Sequence, residues 1–541
     1  MKTRYLVSML TGFALTFSSC MDDLDVMPLD ETVVTSEVAY SDPDSYLKSL
    51  FKIYSAWSMS GQDGEGSTDV VGLDPGNAQL LRSYWILQEV AADHALVSKT
   101  WGDTWVEEIN TLTWSNVQNE PIEAVYQRAM FVVALVNDYL KVVDNAPVVL
   151  NPEQLKSEAR FSRALAYWVL MDLYGAPPFI TESTYSINPA PLDKIEQTGD
   201  KPVKLFNWIE SELIDLIDAL PAPGQGIYGR ADQGAAYALL AKLYLNAEVY
   251  TGEARYTDCI AASKEVIAGG YGLATNYHEL FYADNGQNSD TRQEIIFPVL
   301  FDGAATKTWG GMTFFICASR SGSDVNLERD GVSAGWDGIH TTQNLVSVFD
   351  FDGEQSAANI LDKRGIFHSD GIDVNVSSNE FYNDGWSVFK YKNIYSTGGY
   401  PSETQFPETD FPLFRLADVY LMYAEAVARG GQGGDMATAV AYVNELRERA
   451  FGNTNHAIDA AWLAANDFQN ILDERARELY WEAGRRTDLI RFGQYTSGYN
   501  WPLKNGVTEG ADLNGRYVLY PIPVTDLSVN GNLSQNPGYG N

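Results

Sequence analysis

Apolar residues recur three and four positions apart over long stretches of this chain, and most of those stretches predict helices. Tyr46, Leu47, Leu50 and Tyr54 place one over Pro43 to Met59. A Gly- and Asp-rich loop, GQDGEGSTDVVGLDPGN (61–77), separates it from a helix expected from Ala78 to about Glu89. The clearest element starts at Asn151, with Asn151 as cap, Pro152 at the first helical position and Gln154 completing a capping box. It runs to Gly175, where Pro177 and Pro178 stop it. Leu165 to Leu173 is apolar almost all round, so this helix is expected to be sandwiched between neighbours.

A two-helix pattern occurs twice. Ala236 to Ile267 reads as a Tyr/Ala-rich helix, a turn at Thr251–Gly252 and a second helix, and Leu416 to Ala450 repeats that form around a Gly-rich turn. Alternating small and aromatic residues on paired helices suit the close stacking of tetratricopeptide (TPR) arrays. From about Leu273 to Pro412 the texture changes. β-type runs such as EIIFPVL (Glu294–Leu300) and MTFFICA (Met312–Ala318) stand among Gly, Asn and Asp loops. The expected fold is mainly α: TPR-like helix pairs within 40–270 and 411–495, and a loop-rich region over about 271–410. Long loops on a rigid scaffold are where binding sites usually lie.

Composition narrows the function. The 541 residues are 45% apolar, ample for a large core. Asp plus Glu number 72 against 37 Lys plus Arg, a formal charge of −35 that repels phosphate backbones and argues against nucleic acid. A neutral ligand suits such a surface, and 13 Trp and 31 Tyr leave some rings for a binding face. Cys259, in a predicted helix, and Cys317, in the strand-like run, read as buried small hydrophobes. The five His residues are scattered, with no pair at metal-ligand spacing.

The first nineteen residues read as a signal peptide. Lys2 and Arg4 precede a short apolar run from Tyr5 to Phe17, too short to span a bilayer. Ser18, Ser19 and Cys20 resemble a lipobox, which would make Cys20 the lipidated N-terminus; Asp22 and Asp23 follow at once. The remainder, 20–541, is expected to form a single domain tethered to a membrane by lipid.

Five further segments carry a resemblance to the SusD/RagB family of nutrient-binding outer-membrane lipoproteins. They are RFSRALAYWVLMDLYGAPPF (160–179), GRADQGAAYALLAKLYLNAEVYTG (229–252), FPLFRLADVYLMYAEA (411–426) with VNELRERA (443–450), ILDERARELYWEAGRRTDLIRFG (471–493) and YPIPVTDLSVNGNLSQNPGY (520–539). The resemblance implies a glycan-capturing lipoprotein on the Bacteroidetes cell surface, with a SusC-like TonB-dependent β-barrel as partner. Arg475, Arg477, Arg485, Arg486 and Arg491 could face that partner, or could form i,i+4 pairs with Glu478, Glu482 and Asp488.

Within the family the chain is most similar to the starch-binding prototype. GLDPGNAQLLR (72–82) resembles its acidic loop leading to an arginine, which points to Asp74 and Arg82 as partners of sugar hydroxyls. KTWGDTW (99–105) corresponds to a stacking tryptophan, Trp101, with Asp103 as polar neighbour. DGAATKTWGG (302–311) and SAGWDGIH (333–340) supply Trp309 and Trp336. The implied ligand is an α-glucan; departures around Trp101 and Trp309 keep an α-1,6 or β-1,3 glucan open, and relatives that take up peptides keep that class open too. No cofactor is required. ADNGQNSD (283–290) offers Asp284, Asn285, Asn288 and Asp290 as a candidate calcium set, against a solvated turn as the plainer reading, because the spacing is not that of an EF-hand. Neither a nucleophile elbow nor a P-loop nor an HExxH motif occurs, and no enzyme activity is expected.

Overall fold

The computed structural model describes residues 39–540 apart from 116, 117, 185 and 381. The signal peptide and Cys20 lie outside the described residues. Contacts divide the chain into a leading unit through Ser49, where Tyr40 packs on Tyr46, and a body from Leu50 onward. Among the described residues no helix is long and apolar enough to cross a membrane.

Helix α1 covers Asp44–Ser55 and buries Leu50 and Ile53. Helix α2 (Leu80–Trp85) starts at Gln79, whose side chain accepts the Arg82 N–H, and runs on into a π-helical turn, Ile86–Val90. The body is then a succession of helices in which each packs on the next: α3 (Glu120–Leu140), α4 (Pro152–Tyr174), α5 (Val203–Ile217), α6 (Gln233–Leu245) and α7 (Tyr256–Ala268). In α4 every residue from Phe161 to Tyr174 is buried, as its all-round apolar surface requires. Its start differs from expectation. Asn151 has φ 53° because it closes a 3-10 turn over Val148–Leu150, so its side chain makes no cap and instead donates to Gln154 Oε1. Pro152 still takes the first turn, and Gly175 ends the helix.

The two repeated pairs form as expected and stack directly. Helices α6 and α7 pack together, α7 packs on α9 (Leu416–Ala428), and α9 packs on α10 (Met436–Phe451). Ala-rich faces let these backbones approach. Cys259 is buried in α7 beneath the Met422 carbonyl.

Between α7 and α9 the described residues carry short helices, turns and brief strands. The EIIFPVL run does make a strand, Ile295–Val299, antiparallel to Phe411–Arg415. The MTFFICA run does not: it is a helical segment, Gly311–Cys317 (α8), packed on α2. A short, uniformly apolar run has no periodicity that separates a buried strand from a buried helix. Cys317 and Cys259 are free, buried thiols, both pushed up to about 12 by burial.

The C-terminal arginines neither face outward nor make chiefly i,i+4 pairs. Arg475 reaches Asp418 and Asp488, Arg485 pairs with Asp93, and Arg491 with Glu425 and Asp488. Arg477 meets Glu474 and the Val348 carbonyl, and Arg486 the Val518 carbonyl. Arg415 completes this interior lattice against Glu294, Glu478 and Glu482. It locks α11 (Gln469–Leu479) and α12 (Arg485–Arg491) onto α9 and the strand before it.

Burial alone would raise the Glu474 carboxyl, but the guanidiniums of Arg364, Arg477 and Arg447 outweigh it and hold it at about 2. An unfolded glutamate titrates near ~4.3, so between those values the unfolded chain binds the extra proton. This stabilisation is complete above about pH 4.3 and is lost as the pH falls toward 2. Glu474→Gln should cost about 3 kcal/mol at pH 7 and give a shallower acid decline than the native chain, read from urea midpoints across pH.

Candidate functional site

Three tryptophans from three separate segments meet in one row. Trp101 ends a 3-10 turn, Lys99–Trp101, opened by Ser98. Gly102, at φ 89°, reverses the chain so that Asp103 Oδ2 accepts both the Trp101 Nε1–H at 2.9 Å and the Trp105 Nε1–H at 3.1 Å. That double acceptance fixes the plane of the Trp101 ring. Trp336 is set by the end of α8: its N–H donates to the Cys317 carbonyl, and the Gly338 and Ile339 N–H groups donate to Ala318. Ile339–His340 then pairs antiparallel with Leu96–Val97, which brings the Trp101 turn against the Trp336 loop. Trp309 immediately precedes Gly310 and Gly311, where α8 begins.

The ring centres of Trp101 and Trp336 lie 6.0 Å apart with planes inclined at 54°, and those of Trp336 and Trp309 6.2 Å apart at 52°. Phe406 extends the row behind Trp309 at 5.2 Å. All three tryptophans are half-buried.

Arg82 lies under this row. Its guanidinium carbon is 4.3 Å from the Phe314 ring centre and 5.6 Å from that of Trp101; Nη1 donates to the Trp309 carbonyl at 3.5 Å, and Nη2 is 3.9 Å from Asp103 Oδ2. Burial pulls its pKa down to about 10 against the pull of Asp103, Asp74 and Glu120, so it remains a cation near neutral pH. Asp74 is exposed, its Oδ1 accepting the Gly76 and Asn77 N–H groups. A Cβ on Gly76 would fall 2.3 Å from Arg82 Nη1 and 3.1 Å from Asp74 Oδ1, so the glycine makes the space the two groups share. The six residues singled out in the sequence thus form one continuous cluster. In it Arg82 is buried rather than presented to a ligand, and it fastens the Trp101 and Trp309 segments from beneath.

Sequence reading passed over several supports. Trp105 shares Asp103 with Trp101 and lies in the same KTWGDTW motif, where it was legible. Phe314, Phe406 and Gly338 left no local signal, because their role exists only across the fold. The candidate calcium set is otherwise engaged. Asp284 accepts from Ser396, Asn285 is buried and bonded to the backbone of Leu280 and Asp410, Asn288 caps a short helix, and Asp290 accepts from Thr275. Among the described residues no group of three or more His, Cys, Asp or Glu could hold a metal.

A stack of paired helices carrying an aromatic row on its loops is the architecture of a ligand-binding scaffold protein. Comparison with known proteins makes the class definite. The family model "SusD family" matches residues 239–539, and "Starch-binding associating with outer membrane" matches residues 71–245. The chain is 32% identical to the starch-binding protein SusD of Bacteroides thetaiotaomicron, over 100% of both chains, and 23% identical to a SusD-like protein of Bacteroides ovatus over 92% of this chain and 83% of that one. It therefore belongs to the SusD family. Its fold is shared by surface glycan-binding protein A of Bacteroides thetaiotaomicron, solved with laminarihexaose (TM-score 0.68, 17% identity, 91% of this chain and 99% of that one). A laminarin-binding SusD-like protein superposes with a TM-score of 0.64 at 20% identity, over 92% of this chain and 99% of that one.

A Cβ at Gly338 would lie 2.4 Å from Cε3 and Cζ3 of Trp101. Gly338→Ala should therefore displace that ring at a cost of about 1–3 kcal/mol. Far-UV circular dichroism should be unchanged, and the near-UV signal of the adjoining tryptophans should change. An unaltered near-UV spectrum would mean that the ring is not held by this contact.

Proposed function

We propose that this protein captures a neutral glycan, in first place an α-1,4-glucan, on the tryptophan row, without catalysis. The observation that carries this reading is the continuous row Trp101–Trp336–Trp309 with successive planes inclined by just over 50°. Pyranose rings present C–H faces that stack on aromatic rings and hydroxyl edges that need polar partners. A flat β-1,4 ribbon would meet one ring of an inclined row well and miss its neighbour. An α-1,4 chain turns as it advances and offers each ring a differently inclined sugar face. Asp74 and Asp103 stand beside the row to take hydroxyl groups, directly or through water, while the buried Arg82 holds the row from beneath. A shallow site of this kind binds weakly, with Kd on the order of 10 µM to 1 mM.

Full-length similarity to a starch-binding protein supports the α-glucan, and the description of one matched family model supports an outer-membrane setting. In this reading Cys20 carries the lipid that tethers the protein to the cell surface, and the bound glycan passes to a SusC-like TonB-dependent β-barrel. A β-1,3-glucan is the second reading: two proteins of the same fold are described with laminarin or its hexamer, and a β-1,3 chain also curves.

Affinity electrophoresis through gels containing amylopectin, dextran, laminarin or levan tests the assignment. Amylopectin should retard the native protein, and Trp336→Ala, which removes the middle ring, should migrate as in an empty gel while keeping its far-UV spectrum. Retardation by laminarin alone would replace the α-glucan by the β-1,3-glucan. Indifference of amylopectin retardation to Trp336→Ala would remove the row from the site.

A further inference from the structure

A cavity of about 280 Å³ opens among the end of α4, the segment before α5, the short helix Ala247–Thr251, α12 and the C-terminal segments around 515–519 and 536–537. It shares no lining residue with the tryptophan row. Its wall is largely apolar, with Met171, Ile195, Val249, Ile490 and Leu519 among the lining side chains.

Two cations on the cavity wall have no carboxylate within ion-pair distance among the described residues: Arg516, whose Nη1 donates to the Gly538 carbonyl and Nη2 to the Tyr517 hydroxyl while its Nε makes no hydrogen bond, and Lys201. Asp172 accepts from Gln88 Nε2 at 3.1 Å, Tyr250 OH at 2.7 Å and Thr487 Oγ1 at 2.9 Å, and Arg486 Nη1 stands 3.6 Å away. Asp200 turns its Oδ2 to the Glu196 and Gln197 N–H groups at 2.8 and 2.9 Å. Lys201 differs. Its ammonium gives one hydrogen to the Val249 carbonyl at 2.7 Å and leaves two donors over. Burial lowers its pKa, and no neighbouring carboxylate contributes to raise it again. Among the described residues this half-buried lysine has no acidic partner, so its desolvation is not offset by an ion pair.

We infer that this cavity is a binding site for a small monocarboxylate with an apolar body, its carboxylate taken by Lys201 and its body by the apolar wall. The size fits: a cavity of about 150 Å³ holds benzene, so ~280 Å³ has room for a ring and a carboxylate. The overall charge of −35 does not forbid an anion here. Exposed charges beyond a Debye length of about 8 Å are largely screened, whereas a contact inside a half-closed cavity is screened much less.

The test uses the purified protein with benzoate as probe and benzyl alcohol as its uncharged counterpart, titrated by calorimetry and by saturation-transfer NMR. Benzoate should bind saturably and about tenfold more tightly than benzyl alcohol, the difference a charge-assisted hydrogen bond supplies. Lys201→Met keeps the apolar stem and should lose that tenfold, whereas Lys201→Arg should retain most of it. Retardation by amylopectin should be the same for all three proteins, because the two sites share no residue. Absence of saturable benzoate binding, equal affinity for the alcohol, or undiminished binding by Lys201→Met would each overturn the proposal. The comparison of the two probes on the native protein decides the matter even if a variant fails to fold.

Discussion

Arg415 meets three carboxylates in the interior, those of Glu294, Glu478 and Glu482, and the C-terminal half of the molecule is organised around that contact. A lone guanidinium or carboxylate there would carry a large desolvation cost, so each charge is tolerable only with its partners in place. The lattice therefore couples elements far apart in sequence: the strand at 295–299, the strand before α9, α10 through Arg449, and α11 through Glu478. Removing any one member would strand the others, which makes the arrangement specific.

The candidate site inherits its geometry from this lattice. Just beyond α11, Trp481 adopts φ 64°; its carbonyl accepts from Trp85 Nε1 and Tyr391 OH, and its N–H turns to Glu89. Trp85 lies on α2, the helix that carries Arg82, and packs against Phe314 and Phe315 of α8. From α8 the row follows, since Trp309 precedes it and Trp336 bonds to its last turn. A rigid interior thus positions three rings that sit on loops. Preorganised rings lose little freedom on binding, which matters for weak, shallow recognition.

Much of the fold was legible in advance. The helix Pro152–Tyr174, the two stacked pairs and the strand at 295–299 follow from periodicity, small-residue spacing and turn signals, all local properties. The helical state of Gly311–Cys317 was not legible, because a seven-residue apolar run buried on all sides has no preferred period. The Asn151 cap failed for a different reason: a preceding turn claimed that residue for a left-handed conformation. The arginines of α11 and α12 misled because their acidic neighbours within four residues suggested local pairing, whereas Arg485 finds its partner at Asp93 and Arg475 one of its two at Asp418.

By itself the sequence determined the helical class, the position of the loop-rich region and the residue types available for stacking and hydrogen bonding. Each of these is written in spacing and composition over a few turns of chain. Only the tertiary structure decided that Trp101, Trp336 and Trp309 stand in one inclined row, that Arg82 ties two of their segments together, and that Lys201 lines a largely apolar cavity. Those facts depend on distances between residues hundreds of positions apart, and such distances are set by burial and charge pairing across the whole core, which no local pattern encodes.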